Sequence, residues 1–146
     1  FEVLRERFAS VLGGRVKAVR QSKTLVGSPA RLVSDEGSTQ RHMFRINRLL
    51  EREYELPVKT LELNPRHPLL HNLNNIVASG GDDRLLNVAI EQIFETALLQ
   101  DGIHPDPAGM ADRLNLILQA ATGSAASELN LDAVAPTPDE ADSDDA

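Results

Sequence analysis

Two histidines in the stretch RHPLLH, His67 and His71, stand four residues apart, the interval at which a helix presents two imidazoles to one metal ion. Pro68 falls between them and suits a first helical position, so His67 is expected at the cap. No glutamate follows it as a base, and no third ligand is evident. A helix cap and a surface histidine are the simpler assignment. The pair Asp82-Asp83 could serve general acid/base chemistry. It follows Gly80-Gly81 at a helix start, however, where N-capping and the helix dipole already account for two carboxylates. No nucleophile elbow, Walker loop or dinucleotide glycine pattern occurs, and the serines lack a distinguishing His and Asp context. The residue types argue against catalysis and imply no cofactor or metal.

A different chemistry is written in STQRHMFRINRLLER, Ser38 to Arg52. Wound as a helix, it places Met43, Ile46, Leu49 and Leu50 on one face and Arg41, Arg45, Arg48 and Arg52 on the other, with Phe44 beside the arginines. A nucleic-acid helix would pair such a stripe with a basic body and stacking aromatics. The chain is 3% aromatic, and its 22 acids exceed its 15 Lys and Arg. Seven of those acids lie between Glu128 and Ala146, where no base occurs, so the rest of the chain is neutral. Neither nucleic acid nor an anionic membrane is an expected partner.

The elements that must carry these residues come in mixed order, giving an α+β fold: a small mixed three-stranded sheet with flanking helices. Phe1 to Leu12 reads as a helix with Leu4, Phe8, Val11 and Leu12 on one stripe, stopped by Gly13-Gly14. RVKAVRQS, ARLVSD and PVKTLELN read as strands, the first two joined by a Gly- and Pro-marked turn. Helices follow from Pro68, ended by Gly80-Gly81, from Asp82 to Gln100 and from Asp106 to Thr122. Residues 123–146 read as an acidic, disordered tail, with room for a short helical turn around Ser127 to Val134, leaving 1–122 as the domain. With 146 residues and 41% hydrophobic content, one core is expected. Cysteine is absent, and no run suits a membrane span or a signal peptide, so a cytoplasmic setting is expected. The start at Phe1, inside a helix, suggests a piece of a longer chain.

Leu85, Leu86, Val88, Ile90, Ile93, Phe94, Ala97 and Leu98 wrap most of the Asp82 helix, leaving Arg84, Asn87, Glu91 and Glu95 as a narrow polar stripe. In the last helix Met110, Leu114, Ile117 and Ala121 repeat as a bundle seam, with Leu116 pointing away from it. The expected solution is a helical hairpin closing a four-helix bundle with a second protomer. The candidate dimer residues are Leu86, Ile90, Ile93, Phe94, Ala97, Leu98, Met110, Leu114, Ile117, Leu118 and Ala121.

VKAVRQSKTLVGSPARLVSDEGSTQ followed by LELNPRHPLLHNL resembles the C-terminal domain of the ninety-kilodalton heat-shock chaperone family, of the bacterial high-temperature protein G type. Val16, Val19, Arg20, the Ser28 to Ala30 turn, Ser38-Thr39-Gln40, Leu63-Asn64-Pro65 and His67-Pro68 carry the resemblance, which spans Phe1 to Thr122. It implies a non-catalytic homodimerisation domain of an ATP-driven chaperone, with ATP and Mg bound only in parts of the parent absent here. It further implies that the Ser38 helix offers Met43, Phe44, Ile46, Leu49 and Leu50 to unfolded client proteins. The Met-Glu-Glu-Val-Asp ending of eukaryotic members is replaced by DEADSDDA, so their tetratricopeptide partners are not implied. The competing expectation is a dimerisation module of an unrelated multidomain protein, without a client role.

Overall fold

Leu4, Phe8 and Leu12 recur every fourth residue and are buried, which fixes the inner face of helix α1, Glu2–Leu12. The structure, a computed structural model, describes residues 1–34, 58–123 and 129–130. A 3-10 turn, Gly13–Arg15, leads from α1 into strand β1, Val16–Gln21. Strands β2, Ala30–Val33, and β3, Lys59–Leu63, complete a sheet of order β1-β3-β2. The central strand β3 runs parallel to β1 and antiparallel to β2, so the sheet is mixed as expected.

In β1 the two inward residues, Val16 and Val19, are three apart rather than two. Opposite them stand Lys59 and Leu61, two apart, so β1 carries one extra residue as a bulge. That insertion turns both valines to the core, which a regular pleat could not do. Inward-facing Leu61 and Leu63 meet α1 and the helices that follow. Ser22 shapes the β1–β2 connection: its hydroxyl accepts from the Leu25 amide at 2.9 Å and from the Thr24 amide at 3.3 Å. Asn64 ties this connection to the end of β3, donating from Nδ2 to the Ser28 carbonyl at 3.1 Å.

On the opposite face of the sheet, Glu62 lies between its cross-strand neighbours Arg20 and Arg31. Arg31 Nε donates to Oε1 at 2.8 Å and Arg20 Nε to Oε2 at 2.9 Å. Burial alone would raise the carboxyl's pKa, but the hydrogen bonds from Arg31 and Arg20 outweigh it and hold Glu62 below the ordinary glutamate range. A folded pKa depressed in this way stabilises the protein above the unfolded value, near 4.5, and the contribution is lost as pH falls through the lower folded value. Glu62→Gln is therefore expected to flatten the acid limb of stability, read as urea midpoints between about pH 7 and pH 3. A variant whose midpoint declines as steeply as that of the parent would remove Glu62 from the acid response.

Helix α2, Pro68–Ser79, begins on His67, whose Nδ1 accepts from the Leu69 amide at 3.1 Å, with Pro68 at the first position. It ends on Gly80 at φ 68°, a left-handed cap that a side chain would strain. Helix α3, Asp83–Gln100, starts on the Asp82 cap and crosses behind the sheet, burying Leu86, Ile90, Ile93, Phe94, Ala97 and Leu98 among α1, α2 and the strands. Lys59 at the start of β3 forms a nearly buried ion pair with Asp101 at the end of α3.

The last helix differs from its expected form. In place of one helix from Asp106, a 3-10 turn, Pro107–Met110, precedes α4, Ala111–Ala121. Asp106 Oδ1 accepts from the Gly109 amide at 3.3 Å, and a Cβ on Gly109 would lie 2.6 Å from the other carboxylate oxygen. A side chain at position 109 would push the capping carboxylate aside, and the α-helix starts after this turn. The described residues therefore form an α+β unit with a three-stranded mixed sheet and four α-helices.

Candidate self-association face on the helical hairpin

Helices α3 and α4 form a hairpin joined by residues 101–110. Its joint is polar. Arg113 of α4 pairs with Glu95 of α3, and His104 Nε2 lies 3.6 Å from the same Glu95 oxygen. His104 Nδ1 accepts from the Asp106 amide at 3.0 Å, so its proton is left for the nitrogen that faces Glu95. Further along, Leu116 of α4 packs on Val88 of α3, flanked by Leu85, Ile117 and Ala120.

The two helices are covered very unequally. Eight residues of α3 are buried, but only Leu116 in α4. The α3 residues assigned above to a dimer, Leu86, Ile90, Ile93, Phe94, Ala97 and Leu98, are at most 7% exposed in the single chain, sealed by its own sheet and helices. Met110 is buried as well, and Ile117 is half-buried. Uncovered are Leu114 at 40%, Leu118 at 59% and the exposed Ala121, spaced four and three apart on one face of α4. Leu99 near the end of α3 is also exposed. Leu116, which points away from the heptad seam, is the residue the chain covers itself.

An 11-residue helix is shorter than the roughly 12–15 residues that hold in isolation. One buried leucine adds about 2 kcal/mol. The Glu95–Arg113 pair helps, but the Leu114 face remains oily and open. What this apolar face can do is bury a matching surface.

The other residues singled out by type have structural occupations or lie elsewhere. His67 is the α2 cap and His71 is exposed on α2. Among the described residues no group of three His, Cys, Asp or Glu side chains could hold a metal ion. The Asp82 carboxyl accepts from the Arg84 side chain and amide and from the Leu85 amide, and these bonds hold its pKa below the ordinary value, the Arg84 side chain contributing most. Asp83 pairs with Arg7 of α1 at 3.4 Å. Met43, Phe44, Ile46, Leu49, Leu50 and the Arg41, Arg45 and Arg48 stripe lie outside the described residues. Among those described, no helix is long and apolar enough to cross a membrane.

Two features escaped sequence reasoning. Glu91, on the polar stripe of α3, is fully buried and paired with Arg15 from the turn after α1. Leu129, within the segment read as tail, is 7% exposed and packs on Val88 and Leu116. The available signal was the apolar set Leu129, Leu131 and Val134, in the stretch where the sequence allows a short helical turn.

The family model described as Hsp90 protein matches residues 1–146. The chain is similar to the chaperone protein HtpG of Oleidesulfovibrio alaskensis, with 41% identity over 114 residues, covering 78% of this chain and 18% of the relative. It is also similar to HtpG of Desulfitobacterium hafniense, 42% identical over 113 residues, covering 76% of this chain and 18% of the relative. HtpG of Chlorobium phaeovibrioides is 34% identical over 116 residues, 80% of this chain and 19% of that protein. The chain thus spans about a fifth of the length of the curated relatives it matches.

Proposed function

This chain belongs to the Hsp90 family of chaperones, and from that premise we infer that it is the homodimerisation and client-contact domain, the C-terminal domain of the parent protein. The observation that carries this reading is the uncovered Leu114, Leu118 and Ala121 stripe on a helix too short and too sparsely buried to stand alone. A second copy placed about a twofold axis meets that stripe with its own, so that α3 and α4 of each chain make a four-helix bundle. The domain spans residues 1–122, with 123–146 as an acidic appendage. It has no catalytic role and binds no cofactor of its own. ATP and Mg belong to other parts of the parent, which acts in the cytoplasm without nucleic-acid or membrane partners.

Client contact falls to the Ser38 to Arg52 segment. Met43 and Phe44 support this part of the reading by their chemistry: a thioether chain repacks easily and an aromatic ring brings large contact area, a pairing suited to many partners. Ile46, Leu49 and Leu50 extend the same apolar surface.

Sedimentation of the chain at micromolar concentration is expected to give twice the chain mass; a stable single chain would overturn the dimer assignment. For the client role, Met43→Ser with Phe44→Ser is expected to lower suppression of aggregation of an unfolding protein by roughly half or more while leaving fold and mass unchanged. Full protection by the variant would point to a dimerisation module without a client role. Unfolding of the variant would assign both residues to the core.

A further inference from the structure

One contact of the tail is unused by the self-association reading. Leu129 is anchored between Val88 and Leu116, and the next residue, Asn130, forms part of the wall of an open groove along α4. The groove has a volume of about 610 Å³. Leu116 and Leu118 supply apolar lining, and Asn115, Gln119 and Thr122 supply amide and hydroxyl groups at spacings of four and three along the helix. Such a surface fits a short extended segment: apolar side chains find the leucines, and backbone groups find the polar row.

We propose that the chain's own tail occupies this groove, with Leu131 seated against Leu118 and docking continuing as far as Val134. Continuity supports this occupant over others. Leu129 fixes the tail on the hairpin, Asn130 already lines the groove, and the next residues, Leu131, Asp132, Ala133 and Val134, carry the only large apolar side chains that follow. A tethered segment starts with a high effective concentration that a free peptide lacks.

Leu118 belongs to both surfaces. The tail and a second copy therefore compete for it, a consequence that rests on the self-association reading. Burial of Leu131 and Val134 together with backbone hydrogen bonds to the polar row only about offsets the cost of ordering four residues, so the tail is a weak competitor, displaced as chain concentration rises.

The test uses the full chain with Leu131→Ser, and Asp139→Asn as a control tail variant. Amide hydrogen exchange is followed across residues 115–122 at a concentration where the chain is monomeric, and the dimer dissociation constant is measured by sedimentation. Leu131→Ser is expected to speed exchange in α4 by roughly threefold or more and to tighten self-association by a similar factor, while Asp139→Asn changes neither. Unchanged exchange overturns the docking. Faster exchange with weaker self-association overturns the competition, since the tail would then be part of the interface. A chain that stays single at every concentration defeats the dimer assignment and leaves the exchange measurement to decide the docking by itself.

Discussion

Arg15→Ala is expected to lower the unfolding free energy by about 3 kcal/mol, near the bottom of the range for breaking a buried ion pair. Its partner is the reason. The Glu91 side chain is 1% exposed, and Arg15 holds it from both ends, donating from Nη1 to Oε2 at 2.8 Å and from Nη2 to Oε1. The same guanidinium closes the end of α1, with Nε donating to the Leu12 carbonyl at 3.2 Å and Nη2 to the Val11 carbonyl at 3.1 Å. It also lies 5.6 Å from the centroid of the Phe94 ring. Alanine leaves the buried Glu91 carboxylate without this partner and removes the guanidinium's bonds to the Val11 and Leu12 carbonyls. The Arg15 side chain is 35% exposed, so water can re-enter partway, which keeps the cost at the lower end. Pairing Arg15→Met with Glu91→Leu is expected to recover most of the loss, because an apolar pair needs no desolvated charge. Urea unfolding of the single and double variants measures both steps. A loss below about 1 kcal/mol for Arg15→Ala would mean that solvent reaches Glu91 and that the pair behaves as a surface bridge.

This ion pair shows where sequence reading stops. Glu91 shares a helical stripe with Arg84 and Glu95, and a polar stripe on an amphipathic helix reads as a solvent face. Its burial depends on Arg15, 76 positions away, which periodicity cannot connect. Local signals fared better. The order of strands and helices followed from turn residues, from Pro68 as a helix start and from Gly80 and Asp82 as caps, because each acts within a few residues of itself. The bulge in β1 was invisible for the opposite reason: it is defined by the partner strand, and only the pairing of Val16 with Lys59 and Val19 with Leu61 reveals it. The hairpin lies between these cases. Apolar residues surround α3, but composition alone does not say which of them the sheet and α1 will cover; the structure leaves the open surface on α4 instead.

That open surface makes the strongest test of function specific. Leu114→Glu combined with Leu118→Glu is expected to raise the dimer dissociation constant by roughly 100-fold or more. In a twofold interface every contact occurs twice, so two substitutions set four carboxylates against an apolar seam, where unpaired charge is costly to desolvate. The fold itself should barely respond. Leu114 is 40% and Leu118 59% exposed in the single chain, and neither belongs to the cluster formed by Val88, Leu116 and Leu129. The unfolding free energy of the monomer is accordingly expected to stay within about 0.5 kcal/mol of the parent. Val3→Glu on α1, at a residue 63% exposed and remote in sequence from the hairpin, controls for the general effect of a carboxylate replacing a surface hydrophobe and should leave the dimer mass unchanged. Sedimentation across a concentration series separates the cases: loss of pairing in the α4 variant alone locates the seam on Leu114 and Leu118, while pairing that survives both glutamates would move it to another surface.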